Sequence, residues 1–410
     1  MIVVDGGDFC PRATEPNKLK AELIREMMDY MGYDVLAVGE RELAFGYDYF
    51  LSLTAPSDMH IVNSNVFHGP RKKKVADDYV ILDTGGVKVA FFSVFFHVSN
   101  IGTRDPMAGG DFITEDAVEA AKRLLPRLHE KADIVVLLAH GPWKQTHEFL
   151  NEVSDFDFVI SAHDGGLDRV GREMNGTVLM KAGNRGQHVC KAAFVVDPEG
   201  VVELASTECI SVKTSLPEDP VIVERIEEMN EKYNNRRRAE ALANRQPQGN
   251  KMEADRFLGD AMCRRCHENI YQAWLATPHA AAYETLVEKG RHGDSDCVDC
   301  HTTGHGDPTG FMPPSAEALK AASTGPSPDG DEGDASDAHA ALADSGPDLT
   351  AVQCEACHGK GTTHARNKAG FLRVEKSECM KCHDQENSPD FNYEEYVPHV
   401  SCKILVEESG

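Results

Sequence analysis

Positive charge is scarce in this chain. Its 410 residues carry 42 Lys and Arg against 67 Asp and Glu, a formal net charge of −25 at pH 7. That balance argues against nucleic acid and against anionic membrane surfaces as partners. Long apolar runs are missing too, and none reaches the roughly 20 residues needed to cross a bilayer. Tryptophan occurs only twice, and hydrophobic residues make up 41% of the chain. This composition fits a soluble protein of about two to three domains. The opening residues lack a basic segment followed by an apolar stretch and a cleavage site.

Cysteine is where the chain is specific. Eight of its twelve cysteines fall in four copies of Cys-x-x-Cys-His: Cys263, Cys266 and His267; Cys297, Cys300 and His301; Cys354, Cys357 and His358; Cys379, Cys382 and His383. This spacing is the attachment signal for c-type haem. The two thiols form thioether bonds to the porphyrin edge, and the adjacent His reaches the iron from one side. Zinc is the alternative for paired Cys-x-x-Cys units, but zinc does not need a His after every second Cys. The expected cofactors are therefore four covalently bound haems. Such attachment takes place outside the bacterial cytoplasm, so a periplasmic or extracellular location is expected, with the signal peptide missing from the sequence in hand. Cys190 and Cys209 lie on neighbouring predicted strands, where a disulfide and two buried thiols are both open.

Residues 1–213 read as a layered α/β fold. Expected elements are a strand at 2–5, a helix at 17–30, strands at 34–38 and 156–160, and a hairpin of 79–82 with 87–95 around Gly85 and Gly86. An amphipathic helix at 115–131 leads into a buried strand at 133–139, and a second hairpin turns at 197–200. A charged helix from Pro217 to about Ala243 lies in a linker, 214–251. Residues 252–410 show little strand pattern and read as a mainly helical, loop-rich multihaem domain. The stretch from Pro313 to Leu349 is an expected acidic loop. Six further histidines, His279, His292, His305, His339, His364 and His399, are candidates for the opposite faces of the irons. His292 is expected at the surface.

Residues 255–400 resemble the cytochrome c-554/c-prime family of tetrahaem cytochromes. The likeness rests on the four motifs with Tyr271, Trp274, Pro278 and His279, on Thr302 to Gly304, on Gly359 with His364, and on Phe391 with His399. The resemblance implies that His279 is a distal ligand to the haem of His358, and that His364 serves the haem of His383. His399, His339 and His305 compete for the first haem. It also implies one five-coordinate haem, assigned to His301, where a small nitrogen compound such as NO or hydroxylamine would react.

Residues 1–213 also resemble calcineurin-like metallophosphoesterases of the 5′-nucleotidase branch, through Asp5 to Phe9, Val38 to Glu42 with Gly46, Ala139 to Gly141, and Ala162 to Gly165. Such enzymes activate water between two metal ions. By this resemblance Asp8, His140 and His163 are metal ligands, and Glu40 offers a further oxygen. The family's opening Asp-x-His, on its first strand, is absent. Its Asn-His pair is replaced by Glu40 and Arg41, and a later His by Gly165. Arg41 has no lone pair for a metal, though it suits a phosphate clamp. What remains is one partial site for Zn, Mn or Fe. Asn63 and Asn65 are further candidates to line the cleft.

The sequence therefore points to an exported tetrahaem electron carrier with a degenerate phosphoesterase-like domain as scaffold or docking module. Redox partner proteins with a basic docking face match its acidic charge. The alternatives are a bifunctional phosphoesterase and reduction at an open haem. Replacing Arg41→His and Gly165→His is expected to raise the bound metal measured by elemental analysis.

Overall fold

Every residue of the strand Ile134–Gly141 is buried, so both of its faces must be covered. The computed structural model, which describes residues 1–11, 13, 17–96, 111–197, 201–213, 215–244, 255–289, 291–312, 347–368, 374–384, 388 and 390–400, shows how. The chain forms two compact units, 1–225 and 226–410.

The first unit runs β1 (Val4–Asp5), α1 (Asn17–Tyr30), β2 (Val35–Ala37), α2 (Glu40–Leu43), α3 (Tyr47–Thr54), β3 (His60–Val62), β4 (Val66–His68), β5 (Lys73–Lys74), β6 (Tyr79–Thr84), β7 (Val87–Phe95) and β8 (Phe112–Thr114). It continues through α4 (Ala117–His129), β9 (Ile134–Gly141), α5 (Trp143–Glu152), β10 (Phe158–His163), β11 (Arg172–Met174), β12 (Thr177–Met180), β13 (His188–Val196) and β14 (Val202–Ser211). The helix α6 (Pro220–Asn244) crosses from this unit into the next.

A six-stranded sheet has the order β11-β12-β10-β9-β7-β6. Its central strands β12, β10, β9 and β7 are parallel, and both edge pairs are antiparallel. Successive side chains on a strand point to opposite faces. Phe92, Val94, Leu137 and Ala139 therefore meet Leu124 and Leu128 of α4 and Phe149 of α5 on one side. Phe91, Val136, Leu138 and Phe158 point the other way, onto Val35, Ala37 and Val62. These last belong to the parallel sheet β1-β2-β3. The inner face of the β13–β14 hairpin joins the same core through Ala192, Phe194 and Leu204. On the far side of the small sheet, Met28 of α1 packs on Leu36. The result is a layered α/β sandwich.

Local chemistry fixes the element ends. Asp116 caps α4 by accepting a hydrogen bond from the Glu119 N–H at 2.9 Å, so the helix starts at Ala117 and not at 115. Gly85 and Gly86 both take positive φ, 67° and 88°, which the tight β6–β7 turn requires. Cys190 and Cys209 face each other across β13–β14 and form a disulfide.

The second unit is built of short helices, among them Asp260–Arg264, Glu268–Leu275, Ser295–His301, Cys354–His358 and Lys376–Cys379. Its described residues contain no strand, and its core is small: Tyr283, Leu286, Val298, Phe311 and Leu349. Most of the expected acidic loop and His339 lie outside the described residues. No helix among the described residues is long and apolar enough to cross a membrane.

Leu137 is fully buried between the sheet and its helices. Leu137→Ala should destabilise the first unit by about 3 kcal/mol, read from the urea unfolding midpoint.

Candidate functional site

In a parallel sheet, all carboxyl ends of the strands open onto one edge, where ligands collect. His140 and His163 stand at the carboxyl ends of β9 and β10, while Asp8 and Glu40 follow β1 and β2. One ligand atom from each of these four lies within 4.8 Å of the others. His140 Nε2 is 3.0 Å from Glu40 Oε2 and 3.4 Å from Asp8 Oδ2. His163 Nδ1 is 3.0 Å from Glu40 Oε1 and 3.3 Å from Asp8 Oδ2.

The backbone around this cluster is strained. Asp8 and His163 both hold positive φ, 68° and 89°, a region that residues with a Cβ seldom enter. A Cβ on Gly39 would come within 2.3 Å of Asp8 Oδ1 and 2.6 Å of His140 Cε1, so only glycine fits there. The buried Glu42 carboxylate ties the pieces together. It accepts from the N–H of Gly39 at 2.8 Å, Asp8 at 2.9 Å and Cys10 at 3.0 Å. Sequence reasoning gave Glu42 no role. Its place three residues after Gly39, at the start of α2, is the spacing of a glutamate that reaches back to an N-cap N–H.

Charge inside the cluster is self-compensating. Burial alone would raise Asp8 and Glu40, but His140 and His163 hold both below the usual carboxylate range. Burial would lower His140, yet Asp8 and Glu40 keep it well above an ordinary imidazole. The same opposition, won by hydrogen bonds to Asp8 and Glu40, pushes His163 up to about 9. Burial, reinforced by Asp8, raises Glu42 to about 7. Two carboxylates and two imidazoles are a suitable donor set for one divalent ion, and protons take its place on the histidines without it.

Arg41 donates its backbone N–H to Asp8 Oδ1 at 3.0 Å. Asn63 and Asn65 are held by the backbone. Asn65 is fully buried and donates to the carbonyls of Phe95 and Glu115, both at 2.9 Å, while Asn63 Oδ1 accepts from the N–H groups of Asn65 and Val66. A Cβ at Gly165 would meet Asn184 Nδ2 at 2.8 Å, so the exchange Gly165→His requires that exposed side chain to swing aside.

In the second unit the four motifs come together in two pairs. The Cys263 thiol lies beside the Cys354 thiol, and Cys300 beside Cys382. Polar side chains set the first pairing. Buried Glu355 accepts from the N–H of Leu258, Gly259 and Gly361, and Gln353 Oε1 accepts from Asp260 N–H at 2.9 Å. His267 and His364 then stand with ring centroids 6.0 Å apart, and His279 and His383 6.2 Å apart. An iron about 2 Å from each of two opposed ring nitrogens spaces the rings by about 6 Å, so both pairs fit a haem iron.

The rings that stand side by side are His364 with His267 and His279 with His383, where the resemblance implied His383 for His364 and His358 for His279. Burial lowers the pKa of both His279 and His383, which keeps these imidazoles neutral as ligation requires. His301 Nδ1 lies 2.6 Å from the Ala282 carbonyl oxygen, which leaves Nε2 for the iron. His399 is exposed in the turn Val397–His399. His305 sits beside Asp299, with Nδ1 3.2 Å from Oδ1. His292 is buried at 8% exposure, against the expectation of a surface position, since it packs beneath Tyr283 and next to Gly293, which Asn234 of α6 binds.

Residues 262–323 match the family cytochrome c554 and c-prime. Cytochrome c-554 of Nitrosomonas europaea is 28% identical over 167 residues, covering 36% of this chain and 58% of that protein. The 5′-nucleotidase of Vibrio cholerae is 24% identical over 174 residues, covering 42% of this chain and 31% of that protein. The chain thus spans about a third of the length of the 5′-nucleotidases it matches. A solved 5′-nucleotidase precursor of Thermus thermophilus aligns at 18% identity and a TM-score of 0.48, covering 67% of this chain and 57% of that one. The chain joins a metallophosphoesterase-like α/β fold to a cytochrome c554-like, helical and loop-rich region.

Mn²⁺ uptake by the first unit should release protons from His140 and His163, so affinity should rise with pH towards about 9, followed by calorimetry in buffers of different ionisation enthalpy. Gly39→Ala should abolish that uptake.

Proposed function

We propose that this chain is an exported tetrahaem cytochrome that passes electrons along closely packed haems. The observation that carries this reading is the pairing of motif cysteines, Cys263 with Cys354 and Cys300 with Cys382, which brings the attachment points together two by two. Bound haem supplies a one-electron iron couple. The chain's own residues do the rest. The eight motif cysteines anchor the macrocycles, and His267, His301, His358 and His383 are the proximal ligands. His364 and His279 are the distal partners of His267 and His383, and His399 is the candidate partner of His358. His301 is left as the ligand of a five-coordinate haem. The small side-chain core of this unit agrees with macrocycles forming part of its interior. Its partners are redox proteins, with a basic docking face set against the net charge of −25. The Cys190–Cys209 disulfide agrees with an oxidising compartment.

The first unit serves in this reading as a scaffold or docking module whose binuclear centre has shrunk to one ion, held by Asp8, Glu40, His140 and His163. The approach of these four donors to within 4.8 Å also favours a second reading, in which the unit keeps metal-dependent phosphoesterase activity. Hydrolysis of a generic phosphomonoester with added Mn²⁺ or Zn²⁺ decides it, and inertness under both removes it.

Pyridine haemochrome assay of protein from a maturation-competent host should give four haems per chain, and fewer than four overturns the reading. Electron paramagnetic resonance should show low-spin signals together with one high-spin iron from the His301 haem. Purely low-spin spectra would remove the open haem. His279→Ala should convert one further iron, that of His383, to high spin.

A further inference from the structure

The loop after the second haem motif turns around one imidazole. Gly304 and Gly306 take positive φ, 71° and 92°, and so reverse the backbone on either side of His305. Phe311 N–H closes the loop by donating to the Thr303 carbonyl at 2.9 Å. Thr303 N–H donates to the Leu349 carbonyl at 3.0 Å, and its hydroxyl to the Ala351 carbonyl at 2.6 Å, on the segment that leads into the third motif. Asp307 pairs with Lys360 at 2.7 Å, just beyond that motif. A Cβ on Gly304 would come within 2.5 Å of the Phe257 ring, on the segment before the first motif. Segments of three motifs therefore meet at this loop.

The His305 side chain is only 3% exposed, with its ring centroid 6.3 Å from that of Phe311. Its Nδ1 lies 3.2 Å from Oδ1 of Asp299, a carboxylate that reaches the surface. Its Nε2 is buried and meets no hydrogen-bond partner among the described residues. Buried polar atoms are nearly always paired, so this nitrogen calls for a partner. Two kinds of haem atom can meet it, the iron and the carboxylates. The carboxylates have the greater need. They add to a chain already at −25, and among the described residues of the second unit no Lys or Arg is buried. A carboxylate drawn inside must be met by a donor or a cation. We propose that His305 Nε2 donates a hydrogen bond to a carboxylate of a bound haem while Nδ1 donates to Asp299. The ring then bridges the two carboxylates as a cation. This contact rests on the tetrahaem reading above. A positive charge at that place favours the reduced iron and raises its potential.

The test is a spectroelectrochemical titration of the full-length holoprotein, with spin states followed by electron paramagnetic resonance. His305→Phe fills the space beside Phe311 and removes both nitrogens. It should lower the midpoint potential of one haem by about 59 mV, a tenfold change in a one-electron equilibrium constant, and leave the others in place. His305→Gln keeps an N–H donor without the charge and should lower the same potential by less. Haem content and spin states should match the parent in both. Unshifted potentials in His305→Phe overturn the contact. So does a new high-spin iron, which would make His305 an axial ligand. Where His305→Phe fails to mature, His305→Gln decides alone, and an unshifted potential there overturns the contact. Fewer than four haems in the parent overturns the tetrahaem reading and this contact with it.

Discussion

Backbone N–H groups in a buried loop must find acceptors, and a loop that carries ligands has no ladder to supply them. In each half of this chain a buried glutamate meets that need. Glu42 gathers the N–H groups of Asp8, Cys10 and Gly39, and so fixes the loop after β1 against the start of α2. Glu355 gathers those of Leu258, Gly259 and Gly361, and so fixes the first haem-binding motif against the third. Removing either carboxylate would leave three buried donors unpaired, which costs more than a missing apolar contact. The ligand geometry of both halves rests on these collectors.

The first half sets a four-donor cluster on an ordinary layered sandwich. Its sheet layers keep an ordinary dry core, with Leu137, Leu138 and Val159 fully buried. The strand ends still deliver His140 and His163 to one edge. The departures from the binuclear pattern lie at the edge of the sheet: a cation at position 41, and a glycine at 165 with Asn184 beside it. The scaffold tolerates this because loop side chains do not support the core. The second half is arranged differently. Its apolar side-chain core is small, its helices are short, and its cohesion comes from polar links such as Thr303 Oγ1 to the Ala351 carbonyl at 2.6 Å.

Much of the architecture was legible because its signals are local. The amphipathic run before β9, the apolar strand itself and the glycine pair between β6 and β7 each carry their own period or turn chemistry. The short elements α2, α3, β4, β5, β8, β11 and β12 were not legible, being too brief to show a period. In the four-donor cluster, Asp8, Glu40, His140 and His163 were legible from motif resemblance, but Glu42 was passed over, and the backbone bonds of Asn63 and Asn65 were not legible. An asparagine that bonds its neighbours' backbone looks, in sequence, like one that faces a ligand.

The sequence by itself determined the haem chemistry. Two thiols and an imidazole within five residues bind the same macrocycle, so covalent attachment needs no knowledge of the fold. It determined the acidic charge and the missing histidines of the binuclear pattern for the same reason. Tertiary structure alone decided which imidazole rings stand side by side, His364 with His267 and His279 with His383. It also decided what lies beside Gly165. Both are contacts between residues far apart in the chain, set by how the segments pack, and no local spacing encodes them.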